Sequence, residues 1–145
     1  VCACPHEEGV IMTEKTLTII KPDAIKKKVM GKIIQRIEDE GFKIIGLKML
    51  SLSKKEAQGF YVVHKDKKFY ESLTDFMSSG EIVVMILEGE SAISHWREVM
   101  GATDPALARH GTIRHEFGFS IERNCVHGSD STATAEWEIG YFYKK

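Results

Sequence analysis

Apolar side chains recur along the chain in two rhythms, and the switches between them divide it into elements. Leu17 and Ile19 alternate with Thr16 and Thr18, a period of two that predicts a strand running to Lys21. Pro22 ends that strand, and Asp23 is placed to cap a short helix. Met30, Ile33, Ile34 and Ile37 share a helical face opposite Lys32, Arg36, Asp39 and Glu40, with Gly41 as the stop. Lys43 to Leu50 reads as a second strand. Ser53 caps a helix carrying Ala57, Phe60 and Tyr61, and another helix runs from about Phe69 to Met77. Ile82 to Glu88 is almost wholly apolar, which predicts a strand in mid-sheet covered on both faces.

A helix from about Ser91 to Met100 follows. The Gly/Pro/Thr-rich stretch 101–116 then shows neither period, and so long a connection within a domain usually carries function. A last strand is predicted over Ser120–Val126, and a helix from Ser131 carries Ala133, Trp137 and Glu138. The order β-α-β-α-β-α-loop-β-α, without internal repeat or linker, fits an α/β sandwich. Helices cover a four-stranded sheet in a split β-α-β arrangement.

At 145 residues, with 43% hydrophobic and 28% charged positions, the chain has the size and balance of one globular domain. A formal net charge of −1 gives no global attraction to nucleic acid or an anionic membrane, so any phosphate-binding surface has to be a local basic cluster. The longest apolar run, Ile82 to Leu87, falls far short of the roughly 20 residues of a membrane span. Cys2 and Cys4 are too close for a useful staple, and Cys125 sits among apolar residues. This odd count without framework spacing points to a reducing compartment, and a cytoplasmic location is expected. Cys-Ala-Cys-Pro-His at the start is at most a weak metal tract. Residues 1–11, before Met12, read as a disordered appendage lacking the features of a secretory signal or transit peptide, with the domain proper over 12–145.

The candidate chemistry centres on Asn124-Cys-Val-His-Gly-Ser-Asp-Ser131. An imidazole with an unperturbed pKa of about 6.5 is largely neutral and nucleophilic at physiological pH. Held by hydroxyls and a carboxylate, His127 can accept a group covalently and hand it on. Lys21, at a strand end, offers a compact charge for phosphate or sugar hydroxyls, although a solvated lysine is the ordinary alternative. Arg97, Thr103 and Arg114 span the irregular stretch, and together they read as a polyphosphate clamp because guanidinium forks match phosphate oxygens two at a time. Phe69 is a core residue by default, or else an aromatic face on which a base can stack.

His6, His64, His95, His110 and His115 lack metal-site spacing and read as solvated or locally bonded. Gly31-Lys32 lacks the lead of a Walker loop, no Gly-x-Ser-x-Gly elbow occurs, and no aromatic RNA-binding signature appears. Strict alternation would put Asn124 and His127 on opposite faces of a strand. For both to serve one site, the strand has to end or bulge between them.

Four ordered pieces, Ile-Lys-Pro-Asp-Ala (20–24), Met-Gly-Ala-Thr-Asp-Pro (100–105), Gly-Thr-Ile-Arg (111–114) and the His127 octapeptide, resemble the nucleoside diphosphate kinase family. The likeness runs from about Thr16 to Tyr143. It implies a ferredoxin-like α/β (α+β) sandwich with a four-stranded antiparallel sheet covered by helices. It also implies ping-pong transfer of the γ-phosphate of a nucleoside triphosphate, typically ATP, to a nucleoside diphosphate through a phosphohistidine. By the same likeness His127 is the nucleophile, and Lys21, Tyr61, Arg97, Thr103, Arg114 and Asn124 hold phosphates and ribose. Phe69 stacks on the base, while Ser129 and Glu138 orient the histidine ring and its neighbours.

Mg²⁺ is expected to arrive on the nucleotide, without protein ligands of its own. The family forms homohexamers or homotetramers, with the 101–116 loop often at subunit contacts. Two departures stand out. Lys67-Lys68-Phe69-Tyr70 replaces the frequent Arg-Pro-Phe-Phe, a change expected to loosen the base-stacking lid, and Gly80-Glu81-Ile82 replaces the usual Gly-Pro-Val. The competing expectation is a catalytically silent nucleotide-binding or regulatory module of the same fold.

Overall fold

In the computed structural model, β1 (Thr13–Ile20) and β3 (Glu81–Glu90) run antiparallel through the middle of a four-stranded sheet. β2 (Lys43–Ser51) flanks β3 and β4 (Val126–Gly128) flanks β1, giving the order β2-β3-β1-β4 with every pairing antiparallel. The structure describes residues 13–143, so the proposed appendage 1–11, with Cys2, Cys4 and His6, lies outside the described residues, as does Met12.

The connections supply the helices. α1 (Pro22–Lys26) and α2 (Met30–Asp39) join β1 to β2, and α3 (Lys54–Phe60) and α4 (Tyr70–Met77) join β2 to β3. α5 (Ala92–Met100) and the short α6 (Ile113–Phe117) lie between β3 and β4, and α7 (Thr132–Tyr143) follows β4. Alternate residues of β3 explain the two layers. Val83, Met85 and Leu87 meet Ile33, Ile37 and Trp96 on one face, while Ile82, Val84 and Ile86 meet Phe60, Met77 and Phe142 on the other. The near-continuous apolar run is thus buried from both sides, as a central strand requires. This is the ferredoxin-like sandwich anticipated from the motifs. No helix of the described residues is long and apolar enough to cross a membrane.

Three local expectations are corrected. The last strand is not Ser120–Val126. The N–H groups of Phe119 and Ser120 both donate to the Arg123 carbonyl, closing a compact loop, and the strand begins only at Val126. Asp23 does not cap α1: Lys21 occupies the cap position without a side-chain bond, and Asp23 Oδ2 instead accepts the backbone N–H of Cys125 at 3.1 Å. The stretch 101–116 is not wholly irregular. It contains a 3₁₀ turn, Pro105–Leu107, and the start of α6, capped by the side chains of Asp104 and Thr112 respectively.

Candidate active site

The C-terminal end of β1 and the short β4 bring the two ends of the sequence together. The Lys21 N–H donates to the Cys125 carbonyl at 2.8 Å, 104 positions along the chain by their numbers, so the Lys-Pro-Asp motif lies against the His127 motif. Cys125 has φ 78°, and the Val126 N–H returns to the Asn124 carbonyl at 2.9 Å. A left-handed conformation at a non-glycine residue costs about 1–3 kcal/mol and persists only where its surroundings enforce it. Here it reverses the strand's alternation, and Asn124 and His127 both line one cavity.

His127 Nε2 lies 3.1 Å from each oxygen of the Glu138 carboxylate, which α7 presents from beneath. Ser129 Oγ donates to Glu138 Oε1 at 2.7 Å and accepts the Leu17 N–H at 3.2 Å, tying that carboxylate to β1. A carboxylate accepts only, so Nε2 carries the proton and Nδ1 keeps the lone pair. The edges of Phe60 and Tyr61 wall the ring at centroid distances of 5.5 and 6.3 Å, which limits its rotation.

Two of the cationic groups, Lys21 and Arg114, are buried, whereas Arg97 is exposed at the rim. Lys21 Nζ donates to Asn124 Oδ1 at 2.9 Å, and Asn124 Nδ2 donates to the carbonyls of Thr103 and Ile121. Burial, assisted by the positive charge of Arg114, lowers the Lys21 pKa to about 8. Arg114 donates from Nη1 to the Gly101 carbonyl at 3.0 Å and from Nη2 to Val126 at 2.8 Å, while its buried Nε has no partner. Burial and the neighbouring Arg97 draw its pKa down to about 10, so it stays charged at neutral pH. Glycine is required at 101 itself: φ is 91°, and a Cβ there would sit 2.4 Å from Thr112 Oγ1. The Tyr61 hydroxyl is also buried without a partner, and burial followed by the charge of Glu138 raises its pKa, so it remains a neutral donor.

Nine of the ten residues singled out from the sequence line this cavity of about 480 Å³: Lys21, Tyr61, Phe69, Arg97, Thr103, Arg114, Asn124, His127 and Glu138. Ser129 stands behind it, fully buried against Glu138. His64, Leu73 and Ile121 also line it and were not anticipated. His64 is not simply solvated; its ring stacks on Tyr61 at 6.3 Å and approaches Phe69 at 5.4 Å. Leu73 could have been found as the residue one helical turn beyond Phe69. A larger cleft of about 630 Å³, between the start of β1 and α7, is lined by Glu14, Glu88 and Glu136 and would repel phosphate.

The cavity therefore joins an apolar end, around Phe69, Leu73 and Ile121, to a cationic end beside an oriented imidazole. That combination suits a planar base carrying a chain of phosphates.

Comparison with known proteins gives the same picture over nearly the whole chain. The family model for nucleoside diphosphate kinase matches residues 14–145. The nucleoside diphosphate kinase of Geobacter sulfurreducens is 55% identical over 132 residues, covering 91% of this chain and 96% of that protein. The Helicobacter pylori enzyme is 53% identical over the same shares of the two chains. Among solved structures, the Aquifex aeolicus nucleoside diphosphate kinase superimposes with a TM-score of 0.90 at 43% identity, covering 92% of this chain and 96% of that one. A halophilic nucleoside diphosphate kinase from Halobacterium salinarum, solved in complex with CDP, gives 0.89 at 35% identity, covering 92% and 90%.

Proposed function

The chain belongs to the nucleoside diphosphate kinase family and is a phosphotransferase of that activity, and on this premise we propose that His127 is the residue that carries the phosphoryl group. The observation supporting this is the imidazole whose Nε2 is fixed on Glu138 while the ring shares a cavity with Lys21, Arg97 and Arg114. The Nδ1 lone pair attacks the γ-phosphorus of a nucleoside triphosphate. The bond to the bridging oxygen breaks, and the diphosphate leaves with the electron pair. A terminal oxygen of a second nucleoside diphosphate then attacks the same phosphorus, and the P–N bond breaks to restore the neutral ring. Glu138 and Ser129 hold the tautomer and stabilise the charge that the ring gains during transfer.

Binding and chemistry divide along the cavity. Phe69 offers a stacking face tolerant of any base. Thr103 and Lys21 provide donors for ribose and phosphate, Asn124 holds the Lys21 ammonium and leaves an Oδ1 lone pair for a ribose hydroxyl, and Arg97 and Arg114 hold the phosphate oxygens. The unpartnered Arg114 Nε and Tyr61 hydroxyl are buried donors that phosphate oxygens would satisfy. A Mg²⁺ ion carried on the nucleotide would supply further charge neutralisation at the phosphates held by Lys21, Arg97 and Arg114. Incubating the protein with γ-labelled ATP alone should leave acid-labile, base-stable label on it, and added GDP should remove that label. Nucleotide binding without label would instead mark a catalytically silent module.

Lys21 makes affinity depend on pH. In the empty cavity its ammonium is lost as pH rises through about 8, whereas bound phosphates favour the charged form and raise its pKa. Nucleotide binding above pH 8 should therefore take up a proton, seen by calorimetry in buffers of different ionisation heat, and affinity should weaken toward pH 9.5. For folding the sign is opposite. Unfolded lysine titrates near 10.5, so the cost of burying this charge is full below about 8 and is relieved as pH rises from there toward 10.5.

Self-association into a homohexamer or homotetramer is supported by β2, an edge strand on which the alternate residues Ile45, Leu47 and Met49 are exposed. Leu47→Glu should shift the assembly to smaller species in light scattering, leaving the fold intact by circular dichroism.

A further inference from the structure

The turn at Cys125 is held from outside itself. Its carbonyl accepts the Lys21 N–H at 2.8 Å, its own N–H donates to Asp23 Oδ2 at 3.1 Å, and the next carbonyl, that of Val126, accepts Arg114 Nη2 at 2.8 Å. Of these three contacts, only the one from Asp23 comes from a side chain with no place in the cavity. The Cys125 side chain is fully buried beside Ile20, Ala24 and Val126, so the residue packs as a small hydrophobe in a backbone conformation that suits glycine.

Asp23 itself is not explained by its own helix. It sits in the first turn of α1 without capping it, and its second oxygen, Oδ1, is buried with no partner. A native structure tolerates such an orphan where the group serves something else. What the bonded oxygen grips is the N–H at the centre of the turn that brings Asn124 and His127 to one side.

We infer that Asp23 is a positioning residue for phosphate transfer: by accepting the Cys125 N–H it keeps the left-handed turn that aims His127 and Asn124 into the same cavity. The inference rests on the reading of that cavity as the phosphotransfer site. Asp23 does not line the cavity. It acts on the backbone, through the one residue between the phosphate acceptor and Lys21's partner that a strand would have placed otherwise.

The test pairs two positions. Asp23→Ala removes the acceptor, and the rate of His127 phosphorylation at saturating ATP should fall about 10²-fold, the scale of a misplacement of about 1 Å. Asp23→Asn keeps an acceptor oxygen in place and should retain most of the rate. Cys125→Gly adopts the left-handed backbone unaided, so in that background Asp23→Ala should cost no more than about twofold, the scatter of independent effects. A role confined to stability gives a different pattern: Asp23→Ala lowers the thermal midpoint while the folded protein phosphorylates His127 at the wild-type rate, and that result overturns the inference. So does a loss in the Cys125→Gly background as large as in the wild type. Should Asp23→Ala fail to fold alone, the Cys125→Gly pair decides by the same criterion. Wild-type protein that takes no phosphate from ATP would instead refute the reading of the site, independently of Asp23.

Discussion

Replacing His127 with asparagine should abolish phosphate exchange, by at least about 10⁴-fold, because the other imidazole lining the cavity, His64, lies at the base end against Tyr61 and Phe69, away from the phosphate tail. Lys21 is a candidate only on paper: below about pH 8 it is an ammonium with no lone pair. Cys125 is nearby, but burial and the charge of Asp23 push its thiol up to about 12, and its side chain is sealed in the core. Ser129 is committed to Glu138 and Leu17. Binding should survive the substitution. Arg97, Arg114, Thr103, Asn124 and Phe69 all belong to other elements of the chain or lie before the turn, and none depends on the imidazole for its hydrogen bonds. A dissociation constant within a few fold of wild type, measured by calorimetry, with no detectable transfer from ATP to GDP, is the expected pair of results. Loss of both would make His127 a structural residue.

Arg114→Ala should lower kcat about 10²–10³-fold, the usual effect of removing one preorganised donor from developing negative charge. The effect on stability is smaller because two terms oppose each other. The lost bonds to the Gly101 and Val126 carbonyls are charge-assisted and contribute about 1.5–3 kcal/mol each. Against them stands the cost of burying the guanidinium, on the order of 3 kcal/mol from its lowered pKa. The net destabilisation is about 0–3 kcal/mol, so the variant should fold and be assayable. Arg114→Lys should rescue little. A lysine's single nitrogen cannot span the two carbonyl positions that Arg114 reaches from Nη1 and Nη2. A variant that keeps kcat while losing only KM would mean that Arg114 binds the ground state and the transition state alike.

Most of the scaffold is legible from local pattern because its causes are local. The β3 run needs only its own side chains to declare itself a central strand, and the α2 stripe declares its face in the same way. The site residues were legible as types: hydroxyl, amide, guanidinium and imidazole are recognisable wherever they fall. What could not be read was the part that long-range contacts impose. Cys125 carries none of the usual marks of a left-handed residue, and the partner that favours it there, Asp23, lies 102 positions away. Read alone, Pro22-Asp23 looks like a helix start, so the aspartate's reach across to the turn before β4 is invisible. α6, at five residues, is too short to show a period, and its Gly/Thr surroundings mask it. His64 sits among lysines and looks solvated until Tyr61 and Phe69 close around it.

The measurement that bears most directly on the central claim is the chemical position of the phosphate on the trapped protein. With Glu138 holding Nε2, phosphorus-31 spectra of protein carrying nitrogen-15 in its histidines, taken after a single exposure to ATP, should show coupling to Nδ1 of His127 alone. Phosphate on Nε2, on Ser129 or on any other side chain would contradict the account.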